Sequence, residues 1–295
     1  MTETIFEQYV HERIEKKNKN FLMVICGETG SGKSYSALKI AERLDPKFSI
    51  DRVVFSAIDF MTLINQLVQR SKEGEDISGF VIIWDELGAT HGSREFMTTS
   101  NKAINHFFQL SRHLNLIVLL TVPLLSFIDS ATRKLCHCVG EMTGINRTKK
   151  MSTMKIKMVQ TNVLSGKEYP KYLRYNKEGS QFVYKKLSIG LPNKELIEVY
   201  EIKKENFAHE YYKDIEQKLI AKDKQDKQTR KPLTPRQQEI GKLLLTKSID
   251  EAAKILNITL DGVYRTKAAI EAKGYAFKPI WEAKHIVRWE IEGLD

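Results

Sequence analysis

The sequence predicts an α/β protein: a mainly parallel sheet with helices on both faces, followed by a small all-α domain. Three observations predict it. Short continuous apolar runs alternate with helical periodicity up to about Gly140, the pattern of strands buried on both faces and joined by crossover helices. A glycine-rich turn directly follows the first apolar run. A charge-rich stretch at 222–232, KDKQDKQTRKP, separates all of this from a compact helical pattern that resumes at Leu233.

The elements follow in order. Residues 1–20 read as a short amphipathic helix. FLMVICG at 21–27 is a buried strand running into the glycine turn, and helical periodicity spans 33–44. RVVFSAI at 52–58 is a second strand, with Asp59 as cap of the helix FMTLINQLVQR. FVIIW at 80–84 is a third strand, 101–113 a helix, LIVLLTV at 116–122 a fourth strand and KLCHCVG a fifth. Past Gly140, KIKMVQTNVL and QFVYKKL are strands between polar loops, and YNKEGS at 175–180 is a hairpin turn. A charged helix runs from 192 to about 220. The expected division is an N-terminal helix at 1–20, an α/β domain at 21–190, a charged helix and linker at 191–232, and a C-terminal domain with its tail at 233–295.

Composition narrows the class. Hydrophobic residues make up 42% and charged residues 28%, as in an ordinary globular protein. No apolar run reaches the ~18–20 residues of a membrane-spanning helix. The longest, at 114–128, is shorter and contains Pro123. With no apolar leader pattern at the start, a cytoplasmic location is expected. The three cysteines cannot form a disulfide framework. Cys136-His137-Cys138 lacks the second ligand pair of a zinc site, and strand alternation would put both cysteines on one face with His137 on the other. Cys26 reads as a small buried residue. The net charge is +10, and its placement is uneven: 141–190 holds eleven Lys or Arg against three Glu, whereas 51–100 leans acidic. A solvated face and a nucleic-acid contact both fit that stretch.

The chemistry sits in two motifs. GETGSGKS, from Gly27 to Ser34, fits G-x-x-x-x-G-K-[ST] between a strand and a helix, the context of a phosphate-binding P-loop. Its glycines let backbone N–H groups point inward, and the helix start adds partial positive charge. The expected nucleotide contacts are Gly27, Glu28, Thr29, Gly30, Ser31, Gly32, Lys33, Ser34 and Tyr35. Lys33 is expected on the β- and γ-phosphates and Ser34 on magnesium. The second motif is Asp85-Glu86, at the C-terminal end of a buried strand, where an open α/β sheet faces its ligand. Asp85 is expected to hold the magnesium through water, and Glu86 to activate the attacking water as general base. With no N-K-x-D guanine signature, ATP with Mg2+ is the expected pair.

With these motifs the chain resembles the FtsK–HerA branch of P-loop motors over about residues 20–190, a RecA-like core. LSRHLNLIVLLTVP at 110–123, followed by SFIDSATRKLC, is also similar to the ATPase domain of zonular occludens toxin-like proteins. The resemblance implies ATP-driven movement of DNA by a homo-oligomeric ring, usually hexameric. It implies a trans-acting arginine at Arg133, with Arg112 second and Arg94 third. It also implies a γ-phosphate sensor at the end of the fourth strand. Thr121-Val122 stands there instead of the usual Gln, so Thr121 is the candidate.

Residues 233–275 read as three helices. Pro235 lies near the first helix start, Ser248 and Glu251 form a capping box, and Thr259 caps the third. The segment resembles the helix-turn-helix of response regulators and sigma factors, which implies that Tyr264, Arg265 and Lys267 face DNA. Lys155 and Lys157 are the phosphate-contact candidates in the basic stretch. The leading expectation is an ATP-driven DNA motor of the translocation, transfer or packaging kind. A non-motor ATP switch assembling on DNA and a membrane-associated assembly or secretion ATPase are the alternatives.

Overall fold

The computed structural model describes residues 3–87, 104, 105, 107, 112–177, 179–228, 231–282 and 285–292. The chain divides into two compact units, Met1–Ala208 and His209–Asp295. No helix among the described residues is long and apolar enough to cross a membrane.

The first unit opens with α1 (Ile5–His11), capped by a Thr4–Glu7 capping box and extended by a π-helical turn at Glu12–Lys16. Next come β1 (Phe21–Cys26), α2 (Lys33–Leu44), β2 (Val53–Val54), α3 (Ala57–Lys72), β3 (Val81–Trp84), β4 (Ile117–Val122) and α4 (Ser130–Leu135). Then follow β5 (Cys138–Asn146), β6 (Met151–Thr161), β7 (Glu168–Lys171), β8 (Leu173–Lys177), β9 (Ser180–Tyr184), β10 (Lys186–Gly190) and α5 (Lys194–Gln228). The main sheet has the order β10-β6-β5-β1-β4-β3-β2, with β7 on β6. Its five strands from β5 to β2 are parallel, and β6, β7 and β10 extend it antiparallel. The fold is therefore α/β with a mainly parallel central sheet.

The continuous apolar runs have a simple cause: both faces of the sheet are buried. Along β1, Phe21, Met23 and Ile25 enter one core with α1 and α2, while Leu22 and Val24 enter the other with α3. Because β1, β4 and β3 are neighbours in register, their C-terminal ends lie side by side. That edge carries the phosphate loop, Thr121 and Asp85.

Several local expectations change. The strand expected at 52–58 is only Val53–Val54, because the extended Ser56 caps α3 and its side chain accepts from the Asp59 N–H at 3.1 Å. Ser56, not Asp59, is the cap: the helix starts inside what reads as an apolar strand. In KLCHCVG, Lys134 and Leu135 close α4, and the strand starts only at Cys138. Cys136 and Cys138 therefore do not share a face; they sit in opposite cores. Burial pushes the Cys136 thiol up to about 12, and Cys138 is also raised by burial, so neither offers a thiolate near neutral pH. No group of three or more metal-ligating side chains occurs among the described residues.

Two further corrections concern the second half. Residues 222–228, expected in a linker, continue α5. The stretch carries no proline before Pro232 and is rich in good helix formers, so nothing in it stops the helix. In the second unit, α6 (Pro235–Leu244), α7 (Ile249–Leu256) and α8 (Leu260–Glu271) have the expected caps: Pro235 at the start of α6, the Ser248–Glu251 box and Thr259. The unit is not all-α, however. β11 (Ala276–Glu282) and β12 (His285–Glu292) form an antiparallel hairpin, and Trp289 and Ile291, two apart on one strand face, complete the core with Ile240, Leu244, Ala252 and Val263. The tail thus packs back on its own unit.

Candidate functional site

β1 ends at Cys26, and the chain then makes the turn its glycines permit. Gly27 and Gly32 take positive φ, at 156° and 83°. At Gly27 a Cβ would lie 2.8 Å from Met142 Cβ and 2.9 Å from Ser31 Oγ, so the close approach admits no side chain. Gly32 is the left-handed residue from which α2 starts. Glu28, Thr29 and Gly30 are all exposed. The Lys33 ammonium folds back on the loop, donating to the Gly27 and Glu28 carbonyl oxygens at 2.9 and 2.8 Å. Burial lowers the Lys33 pKa, against the opposing pull of Asp85 and Glu86. Tyr35, in the first turn of α2, donates to Glu201 at 2.9 Å.

The two motifs meet. Asp85 is fully buried, and its Oδ2 accepts from Ser34 Oγ at 3.0 Å although the residues are 51 apart in sequence. Its Oδ1 accepts from Thr121 Oγ1 at 2.6 Å, and the same Thr121 oxygen accepts from the Glu86 N–H at 2.8 Å. Glu86 takes a left-handed backbone, φ 54°, at the turn after β3. A non-glycine residue there carries strain of order 1–3 kcal/mol, which the Thr121 hydrogen bond helps hold. The Glu86 carboxylate is 43% exposed, so it can reach water.

Sequence reasoning missed a third contribution. On α5, Tyr200 donates to Asp85 Oδ2 at 2.5 Å, and Lys204 stands 2.6 Å from Glu86 Oε1 and 3.7 Å from Asp85 Oδ2. Burial, with Asp85 next, drives the Tyr200 hydroxyl far above its ordinary value. Burial alone would lower Lys204, but the hydrogen bond to Glu86 and the charge of Asp85 raise it. The signal was present: Leu196, Tyr200 and Phe207 recur at helical spacing and pack on the main core. The high charge of the segment masks that stripe.

The other candidates are placed differently. Thr121 is fully buried beneath the acids, so it holds Asp85 and Glu86 rather than reaching a phosphate. Arg133, on α4, lies 4.0 Å from Glu168 and lines a cavity of 200 Å³ with Cys26, Leu125 and Val159. The Arg112 side chain and Arg94 lie outside the described residues. Lys155 and Lys157, on one face of β6, both stand 3.6 Å from Glu141. On α8, Tyr264 is exposed and Arg265 more so, with a 2.8 Å ion pair to Asp261. Lys267 does not share that exposure: its ammonium lies over the rings of Phe277 and Trp289 and pairs with Glu271 at 2.5 Å. The hairpin that covers it was not expected from the sequence, and it removes Lys267 from the candidate DNA surface.

The residues present fit a phosphate ligand with a divalent cation. Ser34 and Asp85 converge as two oxygen donors, a hard-cation set. The Ser31 hydroxyl is buried in the loop without a hydrogen-bond partner among the described residues, and the Gly27 backbone leaves a cradle that a Cβ would fill.

No protein-family model matches the chain, and no curated protein matches it. Among solved structures, the chain is similar to the N-terminal domain of zonular occludens toxin from Neisseria meningitidis, at 17% identity and TM-score 0.30, over 52% of this chain and 95% of that one. It is similar to a KaiC-like protein from Pyrococcus horikoshii OT3, at 11% identity and TM-score 0.31, over 56% and 90% of the two chains. A third similarity is to ATPases 2 and 3 of EssC from Geobacillus thermodenitrificans, at 14% identity and TM-score 0.34, over 66% of this chain and 45% of that one.

Proposed function

We propose that the chain is a magnesium-dependent ATPase that acts on DNA as a ring-forming motor. The observation that carries the ATPase reading is the meeting of Ser34 with Asp85 at 3.0 Å beside a phosphate loop that holds Lys33. Three residues from two distant motifs converge at the C-terminal edge of a parallel sheet, where such folds take their ligands.

In this reading the loop N–H groups and Lys33 bind the phosphates, and Ser34 and Asp85 hold Mg2+. The ion, when bound, supplies charge neutralisation on the phosphate oxygens. Glu86 accepts the proton of the attacking water. Arg133 serves a neighbouring subunit, exchanging Glu168 for a terminal phosphate. The exposed Tyr264 and Arg265 on α8 and the basic residues of 141–190 support DNA as the partner.

The test separates binding from chemistry. Lys33→Ala is expected to lose binding of a fluorescent ATP analogue together with phosphate release. Glu86→Gln is expected to bind the analogue as the wild type does and to turn over about 10²- to 10⁴-fold more slowly. Wild-type turnover in Glu86→Gln removes the base assignment. Double-stranded DNA added to the wild type is expected to stimulate turnover, and indifference to DNA removes the motor reading.

A further inference from the structure

Asp85 has no exposed surface, and a buried carboxylate needs compensation. Three hydroxyls supply part of it: Ser34, Thr121 and Tyr200. The charge is met differently from what the phosphate loop suggests. Lys33 is turned onto loop carbonyls, and the cation 3.7 Å from Asp85 is Lys204. The same ammonium pairs with Glu86 at 2.6 Å. One side chain of α5 therefore holds both acids.

The arrangement is built rather than incidental. The adjacent Lys203 donates to the Ile50 and Val53 carbonyl oxygens at 3.0 and 2.7 Å, fixing the helix against the edge of the sheet. Tyr200 is 1% exposed and packs against Phe55 and Tyr35, with ring centroids 6.3 Å away in each case. The helix that carries Lys204 is thus fixed on either side of it, by Tyr200 and Lys203, which sets the ammonium beside both acids.

We infer that Lys204 and Tyr200 are positioning residues that occupy Asp85 and Glu86 in competition with the divalent cation, so that metal entry and release of Glu86 are one event. The inference rests on the reading of Asp85 as a metal ligand and Glu86 as the base. Its physical basis is like-charge exclusion. A divalent cation and the Lys204 ammonium both need the same edge of Asp85, so each weakens the hold of the other. Tyr200 adds a hydroxyl hydrogen on the oxygen that already accepts from Ser34. A divalent cation on Asp85 also repels the Lys204 ammonium from the neighbouring Glu86, 2.6 Å away, and the base becomes free to accept a proton. A site without the divalent cation thus keeps its base paired with Lys204, so that Glu86 is freed only once the metal is in place.

The experiment is titration of Mn2+, followed by electron paramagnetic resonance, onto the full chain saturated with ADP. ADP has no γ-phosphate to attract Lys204. Lys204→Met is expected to bind Mn2+ on the order of fivefold or more tighter than the wild type. Lys204→Arg keeps the charge and is expected to bind no tighter than the wild type; tightening in Lys204→Met without tightening in Lys204→Arg is a contrast that a merely structural role for Lys204 does not produce. Tyr200→Phe, which removes one oxygen, is expected to tighten Mn2+ in the same direction and replaces Lys204→Met if that variant does not fold. Unchanged or weaker Mn2+ binding in the folded variant overturns the proposal. A wild type that binds no ADP overturns the nucleotide reading instead, so the two failures are distinguishable.

Discussion

Thr121 shows how one hydroxyl serves two neighbours. It donates to Asp85 Oδ1 and accepts from the Glu86 N–H, at 2.6 and 2.8 Å, with no exposed surface of its own. Val has the same shape without the oxygen. Thr121→Val therefore leaves a buried carboxylate oxygen and a strained backbone N–H without their partner. The expected cost is about 1–3 kcal/mol, read as a lower urea midpoint, with Thr121→Ser close to the wild type. Equal stability in Thr121→Val places the residue outside the network that holds the acids. A place at the end of the fourth strand suggests a phosphate sensor, but depth decides otherwise. A sequence places a residue along a strand and says little about how far it lies beneath the surface.

At the scale of elements, helix starts are the most legible features of the second unit. Ser248 and Glu251 pair as a capping box, and Thr259 accepts from the Gly262 N–H, because caps join residues three apart and involve no distant partner. Ser248→Ala is expected to destabilise the second unit by about 1 kcal/mol, seen as a lower thermal midpoint by circular dichroism. An unchanged midpoint means that α7 is held by its core packing alone. Where two local signals compete, the sequence decides less. Ser56 and Asp59 are both capping residue types, and the structure uses Ser56, whose side chain accepts from the Asp59 N–H. The hairpin β11–β12 is not legible as such, since alternating apolar residues in a tail do not say which surface they cover.

At the scale of the whole molecule, the two units are expected to divide the work on DNA. Lys155 and Lys157 already share Glu141, so part of their charge is balanced. Charge reversal at both is expected to weaken binding to all sequences and to flatten the salt dependence, by roughly 0.9 in log–log slope for each phosphate no longer neutralised. Arg265→Ala is expected to reduce preference for one site, by about 1–3 kcal/mol per base that it reads. Fluorescence anisotropy across salt concentrations separates these outcomes, and equal weakening on all sequences from Arg265→Ala removes the base-reading role. A chain ending at Ala208 keeps Tyr200 and Lys204 with the rest of the site and is expected to retain ATP hydrolysis. A folded truncation without turnover assigns part of the active assembly to the second unit.

The sequence by itself determined the parallel sheet, the phosphate loop and the acid pair. Each is written in contiguous residues: apolar runs for strands buried on both faces, glycines where positive φ is needed, carboxylates at a strand end. Only the tertiary structure decided which side chains meet there. Ser34 reaches Asp85 because β1 and β3 flank β4 in register, and Thr121 lies under both acids for the same reason. Tyr200 and Lys204 come to the site from a helix more than a hundred residues further along the chain. Lys267 leaves the exposed face because the tail folds over it. These are consequences of strand order and packing, long-range properties that no local spacing encodes.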